Sequence, residues 1–166
     1  MREITTYDGQ KCEIGCVGCD AYGGRVNLDA SIIYEDDHFR VMHDTEHPIP
    51  GFFVIGSKRH FRTLGEMNEE ESKRLMPLIL ETRRVMEEVL GITKTTLIQE
   101  DGPESMHFHP WFFPWYAWMD DIGEGRETNK IRTIMRYARE NMRTPENIAA
   151  SNKAVEKVKA AFRVSF

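Results

Sequence analysis

Apolar positions along this chain change period several times, and each change marks an element. Residues 1–30 carry no sustained period. They are polar and rich in Gly, Asp and Cys, which predicts loop. Ser31–Tyr34 and His38–His43 read as short strands joined at Glu35-Asp36-Asp37, a turn signal, so a hairpin is expected. The prolines of His47-Pro48-Ile49-Pro50-Gly51 exclude regular pairing there, and Phe52–Gly56 follows as a third strand. Leu75, Leu78, Ile79, Thr82, Val85, Met86, Val89 and Leu90 then fall at helical spacing. Asn68 with Glu71 forms a capping-box pattern at the start of this helix, and Gly91 is a natural stop. Pro77 removes one hydrogen bond and is expected to bend the helix.

Thr95–Gln99 and the aromatic-rich Met106–Phe113 predict a fourth and a fifth strand, with the acidic loop Gln99–Ser105 between them. Past Trp115 the character shifts. Asp120–Glu127 is a Gly-containing acidic linker, and Thr128–Met142 and Pro145–Val164 read as two helices, the second with Thr144 as cap and Pro145 at its first position. Their mixed Lys, Arg and Glu surfaces predict packing by one narrow face each. The order of elements predicts an α+β domain: an antiparallel five-stranded sheet with a long helix across it, plus C-terminal helices. The expected division is 1–119 for the sheet domain with its N-terminal segment and 120–166 for a helical extension.

With 166 residues, 40% hydrophobic and 30% charged, the chain can fill a core of its own. A net charge of −5 argues against a general nucleic-acid binder. Phosphate can still be bound by a local site of backbone N–H groups and imidazoles. No run approaches the roughly 18 apolar residues of a membrane span. Met1–Cys12 lacks the apolar core of a secretory signal, so a cytoplasmic location is expected. The three cysteines, Cys12, Cys16 and Cys19, are odd in number and crowded together, which favours metal binding or redox chemistry over a disulfide framework.

Two segments carry candidate chemistry. In His107-Phe108-His109-Pro110-Trp111 the two histidines share one face of a strand, where they could hold a metal, react, or merely sit in solvent. The aromatic neighbours favour buried, hydrogen-bonded imidazoles. Cys16-Val17-Gly18-Cys19 is half of a tetrahedral zinc site and needs two further ligands. A redox pair or plain buried thiols are the alternatives. The redox pair is disfavoured because no helix signal follows the motif.

The order Ser31–Phe39, His43-Asp44, Pro48, Phe53-Val54-Ile55, Lys58-Arg59-His60, Leu64 and Met67, then His107-Phe108-His109-Pro110-Trp111-Phe112-Phe113-Pro114, resembles the histidine-triad (HIT) superfamily from about Cys16 to Trp115. The resemblance implies that His109, the middle triad position, attacks the α-phosphate of a nucleotide and forms a covalent nucleotidyl intermediate. It implies a structural zinc ion held by Cys16, Cys19, His60 and His107, with Cys12 able to replace one thiolate. It places Asp44 on the ribose hydroxyls, where Asp44 could equally be a turn residue. Ile32, Phe39 and Val41 fall near the base-binding wall, though they would be apolar strand residues in any case, and Gln99, Gly102 and Ser105 fall in the loop that approaches the phosphate. It also implies a homodimer paired through the long helix and the fourth strand.

The chain departs from the pattern at the third triad position, which is Trp111. An indole has one N–H and cannot shuttle a proton, which bears on leaving-group protonation. The loop from Gln99 to His107 is short, Trp115 stands where many members have Arg, and the C-terminal helices have no counterpart in the minimal domain. Three functions stay open on this reading. They are a nucleotidyl hydrolase or transferase working through His109, a nucleotide-binding protein that has lost turnover, and a zinc-stabilised interaction module.

Overall fold

The computed structural model describes residues 1–101 and 107–166. Its centre is a five-stranded antiparallel sheet in the order β3-β4-β5-β7-β6. The strands are β3 (Ile32–Glu35), β4 (Phe39–His43), β5 (Phe53–Ser57), β6 (Thr95–Ile98) and β7 (Trp111–Pro114). The expected α+β sheet with a long helix across it is therefore the fold.

The two-residue alternation of β4 and β5 gives the sheet two faces. Phe39, Val41, Phe53 and Ile55 enter one core, into which α2 (Glu69–Glu88) packs Leu75, Leu78, Val85 and Met86. The capping box at the start of α2 is present in full. Asn68 Oδ1 accepts from Glu71 N at 2.9 Å, and Glu71 Oε2 accepts from Asn68 N at 2.8 Å. The helix runs unbroken through Pro77 and ends before Gly91 at φ +70°.

The C-terminal helices cover both faces. α4 (Pro145–Ala161) adds Val155 and Val158 to the core beside α2. On the other face, α3 (Glu127–Asn141) lays Ile131, Ile134, Met135 and Ala138 against Phe52, Val54, Trp111 and Phe113. Each buries one stripe, as its polar composition predicts.

The first 30 residues depart from expectation. They form a hairpin, β1 (Arg2–Thr5) with β2 (Lys11–Ile14), turned at Gly9 with φ +96°, and the short helix α1 (Val17–Tyr22). Four-residue strands are too short to show a period in a polar sequence. Ile4 and Ile14 still pack with Ala21, Val26 and Leu28 in a small core of their own. The last strand also differs: laddering with β6 covers only Trp111–Pro114. Residues 107–110 nevertheless follow β5, since Ser57 N donates to Phe108 O and Ile55 N donates to Pro110 O. Met106, the expected start of this strand, lies outside the described residues. No helix among the described residues is long and apolar enough to cross a membrane.

Candidate functional site

The N-terminal segment, the end of β5 and the 107–111 segment meet at one point. Asp20 organises the first of these. Its Oδ2 accepts from Gly15 N at 2.7 Å and from Cys16 N at 3.3 Å, which holds the start of α1 and with it the C-x-x-C pair. Opposite stand His60 and His107. Cys16 Sγ lies 3.3 Å from His107 Nδ1 and 3.7 Å from His60 Nδ1, while Cys19 Sγ lies 3.2 Å from His60 Nδ1 and 3.9 Å from His107 Nδ1. All four donor atoms fall within 4.8 Å of one another. A zinc tetrahedron with Zn–S of about 2.3 Å and Zn–N of about 2.0 Å needs sulfur-to-nitrogen separations of about 3.5 Å. The observed distances straddle that value.

The hydrogen bonds fix the needed tautomer at His107. Its Nε2 donates to the Ser57 carbonyl at 2.6 Å, so the Nδ1 lone pair points at the thiols. Burial pushes this imidazole down towards its neutral form, against the pull of the Ser57 carbonyl. Gly18 makes the approach feasible, because a Cβ there would sit 2.6 Å from the His107 ring. This Cys₂His₂ set is that of a structural zinc ion, closed by four protein donors. Cys12 lies outside it, on β2. The helix that the sequence did not show begins directly after Cys16, so lack of a helix is no argument against redox chemistry. The two converging imidazoles are what favour a metal.

Beside this cluster a cleft of about 580 Å³ opens on the sheet face away from α2. His107, His109 and Trp111 all line it, as alternation along one strand requires. His109 Nδ1 donates to the carbonyl of His107. With Nδ1 donating, Nε2 is the nitrogen that carries the lone pair, and among the described residues it has no hydrogen-bond partner. The indole of Trp111 packs against His109 with ring centroids 5.7 Å apart.

Asp44 lines the cleft as well. It is also the turn residue that the sequence allowed. Its Oδ1 accepts from His47 Nδ1 at 2.6 Å and from the backbone N–H groups of Glu46 and His47, each at 2.9 Å. Burial works to raise this carboxyl, but the His47 imidazole, the Glu46 N–H and the His43 imidazole outweigh it and hold it below the ordinary carboxylate range. It stands ionised at neutral pH.

Four expected binding residues lie elsewhere. Phe39 and Val41 are fully buried in the core under α2, because alternation on β4 turns both away from the cleft. Ile32 sits on the edge strand β3, paired with Met42, outside the lining. Gln99 also lies outside it, and its Nε2 donates to Glu100 O at 2.8 Å. Gly102 and Ser105 lie outside the described residues. Sequence reasoning missed Gly18, whose position inside the C-x-x-C motif was a signal, and two cleft cations on α3, Arg132 and Arg139. Their seven-residue spacing puts them on one side of that helix.

A family model for the HIT domain matches residues 25–110, just over half of the 166-residue chain. The chain belongs to the HIT family. The matched HIT segment contains Asp44, His60, His107 and His109 but neither Cys16 and Cys19 nor Trp111 and α3. No curated protein matches the chain by sequence. Among solved HIT structures, a zinc-bound histidine triad family protein from Mycobacterium smegmatis is 19% identical with a TM-score of 0.58, covering 89% of this chain and 97% of that one. A Hit-like protein involved in cell-cycle regulation from Bartonella henselae is 14% identical with a TM-score of 0.61, covering 90% and 98%. A hypothetical histidine triad nucleotide-binding protein from Sulfolobus tokodaii is 17% identical with a TM-score of 0.59, covering 87% and 94%. At these identities the likeness establishes the HIT fold.

Proposed function

We propose that this protein is a nucleotide-phosphate hydrolase or nucleotidyltransferase in which His109 attacks the α-phosphate and carries the nucleotidyl group as a covalent intermediate. The observation that carries this reading is the state of His109. It faces a cleft of nucleotide size with Nδ1 tied to the His107 carbonyl and Nε2 left as the nucleophile. Asp44, ionised and at the cleft wall, can accept from two ribose hydroxyls through Oδ2, since the hydrogen bonds described for this carboxylate all fall on Oδ1. Trp111 offers an aromatic wall.

The zinc ion, held by Cys16, Cys19, His60 and His107, would fix the chain that carries His109 and take no part in the chemistry. α3 supplies part of the cleft wall, so the helical extension 120–166 belongs to the working unit on this reading. The solved relative from Sulfolobus tokodaii is itself described as nucleotide-binding. Exposed Met76 and Leu80 on α2 and Leu97 on β6 support a homodimer, to be checked by light scattering.

The test is turnover of adenosine and guanosine phosphoramidates, dinucleoside polyphosphates and sugar nucleotides by the wild-type protein and by His109→Ala. Turnover that His109→Ala abolishes supports the reading. A second reading, nucleotide binding without turnover, is favoured by one feature, the indole at the third triad position. Micromolar binding of a nucleoside monophosphate with no turnover of any substrate would select it. Neither binding nor turnover would leave a zinc-stabilised interaction module.

A further inference from the structure

α3 presents two guanidinium groups to the cleft, Arg132 and Arg139, seven residues and so about 10 Å apart along the helix. Arg132 is the one tied to the reacting end. Its Cζ lies 4.6 Å from the centroid of the Trp111 ring, and Trp111 packs directly on His109. Nucleophile, indole and guanidinium therefore follow one another along the cleft. Arg132 also pairs with Glu100, and both side chains of that pair are more than half exposed, at 60% and 52%. So wet a pair holds its partners weakly. A phosphate group, which takes two parallel N–H donors from a guanidinium, can displace the carboxylate. Neither the indole nor the guanidinium releases a proton at neutral pH. The arrangement suits a leaving group that departs as a stable anion.

We infer, on the His109 reading above, that Arg132 is a specificity-determining residue that binds the leaving phosphate of a nucleoside 5′-phosphoanhydride. In the first half-reaction the His109 Nε2 lone pair forms an N–P bond at the α-phosphorus. The bond from that phosphorus to the bridging oxygen breaks, and its electron pair leaves on the second phosphate, which departs as an anion paired with Arg132. In the second half-reaction water attacks the same phosphorus and the N–P electron pair returns to Nε2. One water proton stays on the nucleoside monophosphate and the other passes to solvent. Arg132 lies outside the matched family segment, so this is a property of this chain's own helix.

The test compares two substrates of one nucleoside, in the adenine and guanine series. One is a dinucleoside triphosphate and the other is the p-nitrophenyl ester of the nucleoside 5′-monophosphate. Both leave as stable anions, but only the first leaves as a phosphate. Arg132→Gln is expected to lower kcat/KM for the anhydride by about 10- to 100-fold and to change the aryl ester by less than about 3-fold. Arg132→Lys is expected to recover part of the loss. An equal fall for both substrates, or no fall for either, overturns the inference. His109→Ala separates the two levels. If it abolishes turnover of both substrates, the His109 reading stands whatever Arg132 does. If it turns both over like the wild type, that reading fails and the inference fails with it.

Discussion

His107 and His109 stand two residues apart on one extended segment and face the same side, yet their surroundings differ in kind. At His107 both ring nitrogens are engaged, Nδ1 towards the two thiols and Nε2 by the Ser57 carbonyl. At His109 a backbone carbonyl engages one nitrogen, and the ring borders an open cleft. A histidine with one nitrogen in a closed four-ligand set and the other held by a carbonyl can only hold structure, whereas one with a lone pair at a cleft can react. On the proposed function the same residue type serves two purposes two positions apart, and the partners of each ring decide which.

The sharpest way to break this comparison is to exchange the losses. His109→Ala should abolish turnover, by about 10⁴-fold or more, while zinc content and melting temperature stay near wild type. If zinc content or melting temperature falls with it, His109 is structural too. The next largest effect is the converse. His107→Ala or Cys19→Ser should take zinc from about one per chain to none and cost several kcal/mol of stability, because metal binding is coupled to folding. Elemental analysis and thermal denaturation check this, with chelation of the wild-type protein as the control should either variant fail to fold. Wild-type protein with reduced cysteines and no zinc would remove the site.

A smaller effect is expected at Gly18→Ala. The added Cβ must push the His107 ring away from a 2.6 Å contact, for about 1–3 kcal/mol and a weaker hold on zinc. Smaller still is the effect of Glu71→Gln, at the capping box of α2. Hydrogen bonds from Arg59 first, and from Asn68 N, hold the Glu71 carboxyl below its ordinary value, against its burial. It therefore contributes stability that is present above the unfolded value of about 4.3 and lost as pH falls through the lower folded one. Glu71→Gln should cost about 1 kcal/mol near neutral pH and flatten the acid limb of the stability curve.

The sheet and α2 were legible because β4, β5 and α2 are long enough to show their periods, and because Asn68 and Glu71 sign the helix start chemically. The N-terminal hairpin was not, since four-residue strands in a polar segment carry too few apolar positions to reveal alternation. The four-residue zinc cluster could be completed only through the resemblance. Spacing revealed the thiol pair, but it is the chain crossing near His60 and His107 that closes the site. Phe39 shows the opposite failure, an apolar strand residue placed on the cleft wall by analogy but turned into the core by the register of β4. Arg132 and Arg139 escaped notice because their place at the cleft depends on how α3 docks, which charge on a helix surface does not encode.

On the proposed function, Nε2 of His109 is the atom that bonds to phosphorus. The most direct measurement is rapid acid-free quenching of the protein with a turning-over nucleotide, followed by peptide mass spectrometry. The expected result is a nucleoside-monophosphoryl adduct on His109 that is absent from His109→Ala. An adduct on any other residue, or turnover with no adduct at any quench time, would contradict it.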